Sequence, residues 1–579
     1  MKVLGLNFSN DAAAALVIDG AVVGAVQEER FTRIKHDAGF PSQAVHWCLR
    51  EAGLQLADLD AVGFFWNPGV HAEPANGRLA SVPRDHLEYL YSVPVHLMRH
   101  FDRQGGDSLG VDRVEQTLHL RGGKSLRTHY LTHHLCHAAG AFYRSNFNGA
   151  AILTVDGYGE RASTTICRGE GRRIETLLEV EFPHSLGSFY AALTQFLGFK
   201  ANSGEGKVMG LAAYGQPTYA DALRPLIRLH DDGFELDLSY FSYFLPRKRR
   251  YTDKLVRLLG PERTPESALT SRHEDIAASL QLVVEEALLH LATLARVRAG
   301  EPNLAMAGGV TLNCKANGRI AREGGFERCY FMPAASDAGT ALGAALYVSH
   351  GLHTVPRVYH PESDALGPHF DDAAIRKTLQ VSGCAFTEPP DLAEAVAALL
   401  AAGQIVGFFQ GRAEYGPRAL GNRSILADPR RAEMKDTLNA RVKFREYFRP
   451  FAPFCAVEDA EDWFAIGHAT PYMLEAHPVP EARRSQLGAI THVDGSARLQ
   501  TVSAAQNPRY HAVVRAFGRL TGVPVLVNTS FNVRGEPVVN SVADALRCFY
   551  TTDLDALAIG SFLLVKAPGP GAATGGERA

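Results

Sequence analysis

The chain opens with an apolar strand that breaks into a polar cluster before apolar alternation resumes, in "VLGLNFSNDAAAALVIDGAVVGAVQEER" at residues 3 to 30. The pattern predicts a buried strand over Val3 to Phe8, a second over Ala13 to Ile18, a tight turn at Asp19-Gly20 and a third strand over Ala21 to Gln27. The polar break, Asn7, Ser9, Asn10 and Asp11, falls between two core strands, where such residues ordinarily make turns. The same text recurs at residues 150 to 180, "AAILTVDGYGERASTTICRGEGRRIETLLEV". Two such units predict a duplicated domain, each half presenting a carboxylate at its first strand end, Asp11 and Asp156, across a cleft.

Farther along, Asp275 is expected to cap a long helix whose apolar stripe is Ile276, Leu280, Val283, Val284, Leu288 and Leu291. A short strand, Gly308-Gly309 and a helix opening near Asn313 follow, an order that can cradle phosphate on backbone N–H groups. Residues 217 to 272, rich in charge and aromatics, read as an insertion able to shape a substrate pocket. Three prolines and little periodicity between His353 and Phe370 mark a domain boundary. The expected organisation is a first domain over 1–355, a second over 371–566 and a disordered tail over 567–579.

Composition narrows the classes. At 579 residues the chain exceeds one core. Charged residues are 21%, apolar residues 46% and the formal charge is −3, so neither nucleic acid nor a membrane is an expected partner. No unbroken run approaches the ~20 apolar residues of a membrane span, and the expected location is the cytoplasm. Eight scattered cysteines read as reduced core residues.

The candidate chemistry is concentrated in a few segments. In "THHLCHAAGAFY", His133 and His137 are four apart on a predicted helix and share a face, the spacing by which two imidazoles grip one metal. Asp156, at the facing strand end, and Asp337, in "MPAASDAGTALGAA", complete a mixed N/O set suited to iron(II), manganese or zinc. In "NSGEGKVMGLAAYG", Glu205 and Lys207 sit in a Gly-rich loop where lysine can contact an oxyanion. With Gly308, Gly309 and Asn313 they are the candidate nucleotide and phosphate residues of the first domain. In the second, Arg412, Arg418, Arg423, Arg441, Lys443, Arg445 and Arg449 alternate with core residues, and cations held so need anions such as phosphate or carboxylate. "VLVNTSFNVRGEPVV" reads as the polar rim of the same pocket.

The motifs "SNDAAAALVIDG", "EERFTRIKHD", "HHLCHAAGAFY", "VDGYGE", "GEGKVMGLAAYG", "AGGVTLN", "ASDAGTALGAA", "GPRALGNRS", "REYFRPFAPF" and "NTSFNVRGEP" resemble, in order and over nearly the whole chain, the NodU/CmcH O-carbamoyltransferases. That family includes the tobramycin carbamoyltransferase and nodulation-factor enzymes. The resemblance implies an α/β and α+β fold: an N-terminal duplicated actin-like ATPase domain (ASKHA, ribonuclease H-like) and a C-terminal YrdC-like domain. It further implies that the second domain forms carbamoyladenylate from carbamoyl phosphate and ATP, with Mg2+ accompanying the nucleotide. The first would then pass the carbamoyl group to a hydroxyl of a natural product, as in antibiotic biosynthesis. By the same resemblance His133, His137, Asp156 and Asp337 match an iron-binding set. Lys443, Arg449, Arg498, Asn528 and Ser530, with Arg418 and Arg423, match positions around carbamoyl phosphate and the adenylate. Lys35 and His36, in the polar loop Glu28 to Asp37, are expected beside the acceptor. The partners implied are small molecules, with a homodimer left open.

One position departs from the family, whose first hairpin carries His-Asp where this chain has Asn10-Asp11. An amide cannot accept a proton near neutral pH as histidine can. Three accounts stand open: an engineered inactivating substitution, favoured because every other motif is intact, a natural enzyme using Asp11 or another base, or a chain that no longer transfers. Two further alternatives are a tRNA-modifying threonylcarbamoyl-type transferase, against which the near-neutral charge argues, and a non-catalytic nucleotide-binding homologue.

Overall fold

The structure, a computed structural model, describes residues 1–67, 113–120, 123–245, 247–360 and 363–566. The tail expected to be disordered, 567–579, lies outside the described residues. The first sheet contains β1 (Lys2–Asn7), β2 (Ala13–Ile18), β3 (Ala21–Gln27), β4 (Ala61–Phe64), β5 (Arg113–His119) and β6 (Ser125–Leu131), ordered β3-β2-β1-β4-β6-β5. The opening hairpins therefore form as the alternation predicts, turning at Asp19 and Gly20 with φ of 48° and 84°. The run of small residues along β2 has a packing cause. The helix Ser42–Glu51 covers one face through Ala44, Trp47 and Cys48, and a helix from far along the chain covers the other.

The second sheet repeats the first. Its strands β7 (Gly149–Val155), β8 (Ala162–Glu170) and β9 (Arg173–Glu181) form consecutive antiparallel hairpins. After a two-stranded ribbon, β10 (Ile227–His230) and β11 (Gly233–Leu236), the strands β12 (Asn303–Ala307) and β13 (Arg328–Phe331) add in parallel beside β7. In the first sheet β4 and β6 add in parallel beside β1 in the same way, so the duplication is visible in the topology.

Each half ends in a helix that lies on the other half's sheet. The helix His133–Arg144 follows β6 and packs on β7 and β12, while Ala338–Leu346 follows β13 and packs on β1 and β2. The two cross each other at a separation only glycine allows. A Cβ on Gly343 would stand 1.8 Å from the Cys136 carbonyl oxygen, and one on Gly5 would stand 1.9 Å from that of Ala341. The small residues around the histidines and around Asp337 are thus explained by backbone approach.

The helix Ser271–Ala299 buries the whole predicted stripe. Its cap is Thr270 in a capping box with His273, and not Asp275, because the helix begins a turn earlier; the Asp275 carboxylate instead accepts from the Gln216 amide at 2.8 Å. Long and apolar enough to cross a membrane, this helix is instead largely buried in the core of the second half. Residues 217 to 272 contribute Leu223, Phe234, Phe241, Tyr251 and Leu255 to that same core. All eight cysteines are free thiols.

The third sheet is mixed and eight-stranded: β14 (Val406–Phe409), β15 (Arg423–Ala427), β16 (Ala452–Ala456), β17 (Glu475–Pro478), β18 (Ser496–Val502), β19 (Val525–Ser530), β20 (Ala556–Ile559) and β21 (Phe562–Val565). Helices Leu392–Ala401 and Pro508–Thr521 cover one face and Val542–Thr551 the other. Arg30 donates to the Gly416 carbonyl at 2.7 Å, Arg33 to those of Val538 and Pro537, Lys207 pairs with Glu446 at 2.7 Å, and the Tyr415 hydroxyl donates to the Ala338 carbonyl. These bonds hold the third sheet's loops against the duplicated halves.

The crossing gives a direct test. Gly343→Val should lower the thermal unfolding midpoint by the equivalent of about 1–3 kcal/mol or more, as overpacking does; calorimetry showing an unchanged midpoint would refute the close approach.

Candidate active site

The helix crossing delivers His133 and His137, in the first two turns of one helix, to Asp337 at the N-terminus of the other. Asp156 arrives from the end of β7. His133 Nε2 stands 2.9 Å from Asp156 Oδ2, His137 Nε2 stands 3.2 Å from the same oxygen, and the two Nε2 atoms are 3.1 Å apart. Asp337 Oδ1 is 3.8 Å from His133 Nε2. Ligands held ~2.1 Å from one ion at near-tetrahedral to right angles are ~3.0–3.4 Å apart, so this donor set fits a single divalent metal. The four predicted ligands are brought together with all donor atoms within 4.8 Å of one another.

Other residues orient this set, Ser9 and Glu160, which sequence reasoning did not select, and Gly309, which it had assigned to phosphate. Ser9 Oγ donates to Asp337 Oδ2 at 2.6 Å, and the Gly309 amide donates to Asp156 Oδ1 at 3.0 Å. Glu160, buried, accepts the His133 backbone N–H, and burial pushes its carboxyl up to about 7. Burial alone would discharge His133, but the bond to Asp156 and the charge of Asp337 outweigh it and raise its pKa; burial raises Asp337 to about 7, with Asp156 adding to the effect. The polar break between β1 and β2 is therefore one wall of the cluster.

Beside it lies a second pairing. Asp11 Oδ1 is 2.7 Å from His36 Nδ1, and its Oδ2 accepts from Ser336 Oγ at 3.1 Å. Asp11 and His36 both hold left-handed backbone, φ 68° and 57°, a conformation non-glycine residues adopt at a cost that surrounding contacts must offset. One such contact is the Ala12 amide donating to the Asp37 carbonyl at 2.8 Å. Asn10 is exposed at the tip of its turn. The His36 pKa is raised, first by the hydrogen bond to Asp11, with burial opposing.

The third sheet's loops supply a group of cations. Burial and then Arg498 drive the Arg418 pKa down, while burial, Arg449 and Arg498 act likewise on Arg445. The Nε atoms of Arg418 and Arg498 are buried without hydrogen-bond partners. Among the described residues the acidic partner of Arg449 is Glu446, 3.8 Å away and already held by Lys207. Guanidiniums so crowded and desolvated require an anion. Lys35 lies within electrostatic range of Asp11 on one side and of Arg449 and Lys443 on the other, so the cation group and the Asp11–His36 pair adjoin.

Other candidates are committed elsewhere. Arg423 is almost wholly buried, its terminal nitrogens bonded to the carbonyls of Gln410, Asn422 and Pro368 and its guanidinium stacked over Phe409 at 3.7 Å. Lys443 donates to the Ser530 carbonyl and to both oxygens of Asn532. Ser530 Oγ bonds Asn532, and Asn528 donates to Ala419 and Gln500, leaving its buried Oδ1 without a partner. In the first domain Asn313 caps the helix Cys314–Glu323, Glu205 accepts the Asn202 amide, and Gly308, at φ 93°, lets the chain pass Val155. Sequence cannot tell a cation facing phosphate from one facing carbonyls.

The His2Asp2 cluster and the arginine group are the two constellations that the fold assembles. The chain belongs to the carbamoyltransferase family and is a carbamoyltransferase: the family described as carbamoyltransferase N-terminus matches residues 2–346, and carbamoyltransferase C-terminus matches residues 397–566. Among curated relatives, protein sll1178 of Synechocystis sp. is 43% identical over 98% of this chain and 97% of its own. Nodulation protein NolNO of Sinorhizobium fredii is 39% identical over 96% and 79%, and nodulation protein NolO of Bradyrhizobium diazoefficiens is 41% identical over 76% and 79%.

The cation group is testable without substrate. Inorganic phosphate at ~100 times its dissociation constant should stabilise the wild-type chain by about 2.7 kcal/mol. Arg498→Gln should lose most of that stabilisation, and an equal phosphate-induced shift in the two proteins would contradict the assignment.

Proposed function

We propose that this carbamoyltransferase is an ATP-dependent O-carbamoyltransferase acting on a hydroxylated natural product. The observation that carries the reading is the crowding of Arg418, desolvated by burial, against Arg498, each with a buried Nε that finds no hydrogen-bond partner among the described residues. Carbamoyl phosphate and ATP are anions, and Arg418, Arg498, Arg449 and Arg445 would neutralise them as they approach. Carbamoyl phosphate, ATP and water would give carbamoyladenylate, phosphate and pyrophosphate. In this reading the duplicated halves are an actin-like domain and the third sheet is a YrdC-like one.

His133, His137, Asp156 and Asp337 would hold a divalent metal, with iron(II) among the fitting ions. When bound, that ion supplies Lewis acidity toward phosphate oxygens. The acceptor hydroxyl would attack the carbamoyl carbon, AMP would leave, and the hydroxyl proton must go to a base. Asn10 cannot take it, but His36 can. With Nδ1–H donated to Asp11, its Nε2 is left as the acceptor, the arrangement in which a carboxylate orients a catalytic imidazole. The missing family histidine is thus replaced by one from the neighbouring loop, which favours an active enzyme over an inactivated one.

Incubation with ATP, carbamoyl phosphate and hydroxylated acceptors should release AMP in step with carbamoylated product; no AMP with any acceptor would refute the reading. The base makes a separate prediction. His36 must be neutral to accept the proton, and its pKa is raised, so kcat/KM should rise with pH through a midpoint above 6.5. Asp11→Asn should move that limb to lower pH, and His36→Gln should reduce the rate by ~100-fold or more and flatten the limb. An unchanged profile in His36→Gln would assign the base elsewhere.

A further inference from the structure

Far from the helix crossing, three donors converge on the edge strand of the third sheet. Glu475 and His477 are two apart on β17 and so project to one face. His468 reaches them from the preceding loop. His468 Nε2 stands 3.0 Å from Glu475 Oε2, and His477 Nε2 stands 3.3 Å from the same oxygen, with the three donor atoms within 4.8 Å of one another. This repeats the pattern of His133 and His137 around Asp156, two imidazole nitrogens directed at one carboxylate oxygen. The surroundings differ from those of a surface ion pair: His477 is 1% exposed and Glu475 6%, while His468 is half exposed and leaves an approach from solvent. The His477 Nε2 is buried and makes no hydrogen bond, despite its distance from Glu475. Hydrogen bonding therefore leaves one donor of the trio unsatisfied, whereas a cation between them engages all three lone pairs.

We propose that His468, Glu475 and His477 form a second divalent-metal site, of zinc type, with the fourth position open to solvent. Two imidazoles and one carboxylate are an established donor set for zinc, and the separations match ligands ~2.1 Å from one ion. The site lies where the modules meet. Asn317, on the helix Cys314–Glu323 of the duplicated domain, donates to the Leu474 carbonyl at 2.8 Å, and Arg322 donates to that of Ala476 at 3.1 Å. Gly318 approaches so closely that a Cβ would stand 2.2 Å from the Ala476 oxygen. A metal here would tie the loop carrying His468 to the strand that bears this contact, a role independent of carbamoyl transfer.

The test uses the full chain, stripped by chelator and titrated with zinc chloride, with bound metal counted after gel filtration. Wild type should retain one equivalent more than Glu475→Gln and His468→Gln. Its affinity for that equivalent should fall in each variant by more than the ~10–100-fold that loss of a mere orienting partner costs. His468→Gln alters a half-exposed loop side chain, so an intact far-UV circular dichroism spectrum and phosphate-induced stabilisation will verify its fold. Equal zinc retention by wild type and folded His468→Gln would overturn the proposal.

Discussion

The structure depends on how closely two helices cross. Gly343 lets the helix Ala338–Leu346 touch the backbone of the helix His133–Arg144 at Cys136, and only at that separation do Asp337 and the two histidines share one cluster. Because each helix continues from the last strand of its own half and rests on the other half's sheet, the crossing also joins the halves. A larger residue there would strain the packing and spread the donors at once.

The second constraint is electrostatic. Arginines from two loops and from strand β18 of the third sheet are drawn into a crowded group whose nearest carboxylate, Glu446, is shared with Lys207 of the duplicated domain. The group is costly without an anion and well matched to one. Its proximity to Lys35, and through Lys35 to Asp11, places anion binding next to the imidazole offered by His36.

Much of this was legible in the sequence because it rests on local periodicity. The paired hairpins, the i, i+4 histidines and the stripe of Ser271–Ala299 follow from alternation of apolar and polar residues alone. What was not legible required knowing what lies opposite a side chain. Arg423 and Arg418 stand five residues apart in equally basic text, yet the terminal nitrogens of Arg423 are held by carbonyls while Arg418 is crowded against Arg498. Ser9, in a stretch that reads as a turn, orients Asp337, and Glu160, which no local pattern singles out, holds the His133 amide. The His36 pairing joins the loop before β2 to the one after β3 through left-handed backbone that no propensity predicts. The trio on β17 does carry a signal in the sequence, Glu-x-His on a strand after a loop histidine.

The account divides the reaction between two sets of residues, so separating the half-reactions tests it most directly. Full-length wild type, Arg418→Gln and His137→Ala should be incubated with ATP and carbamoyl phosphate, then with an acceptor, while pyrophosphate, AMP and carbamoylated product are followed. Arg418→Gln should release no carbamoyl phosphate-dependent pyrophosphate. His137→Ala should release pyrophosphate and form carbamoyladenylate yet yield no carbamoylated product. Pyrophosphate release that survives Arg418→Gln, or that is lost in His137→Ala together with product, would contradict the division.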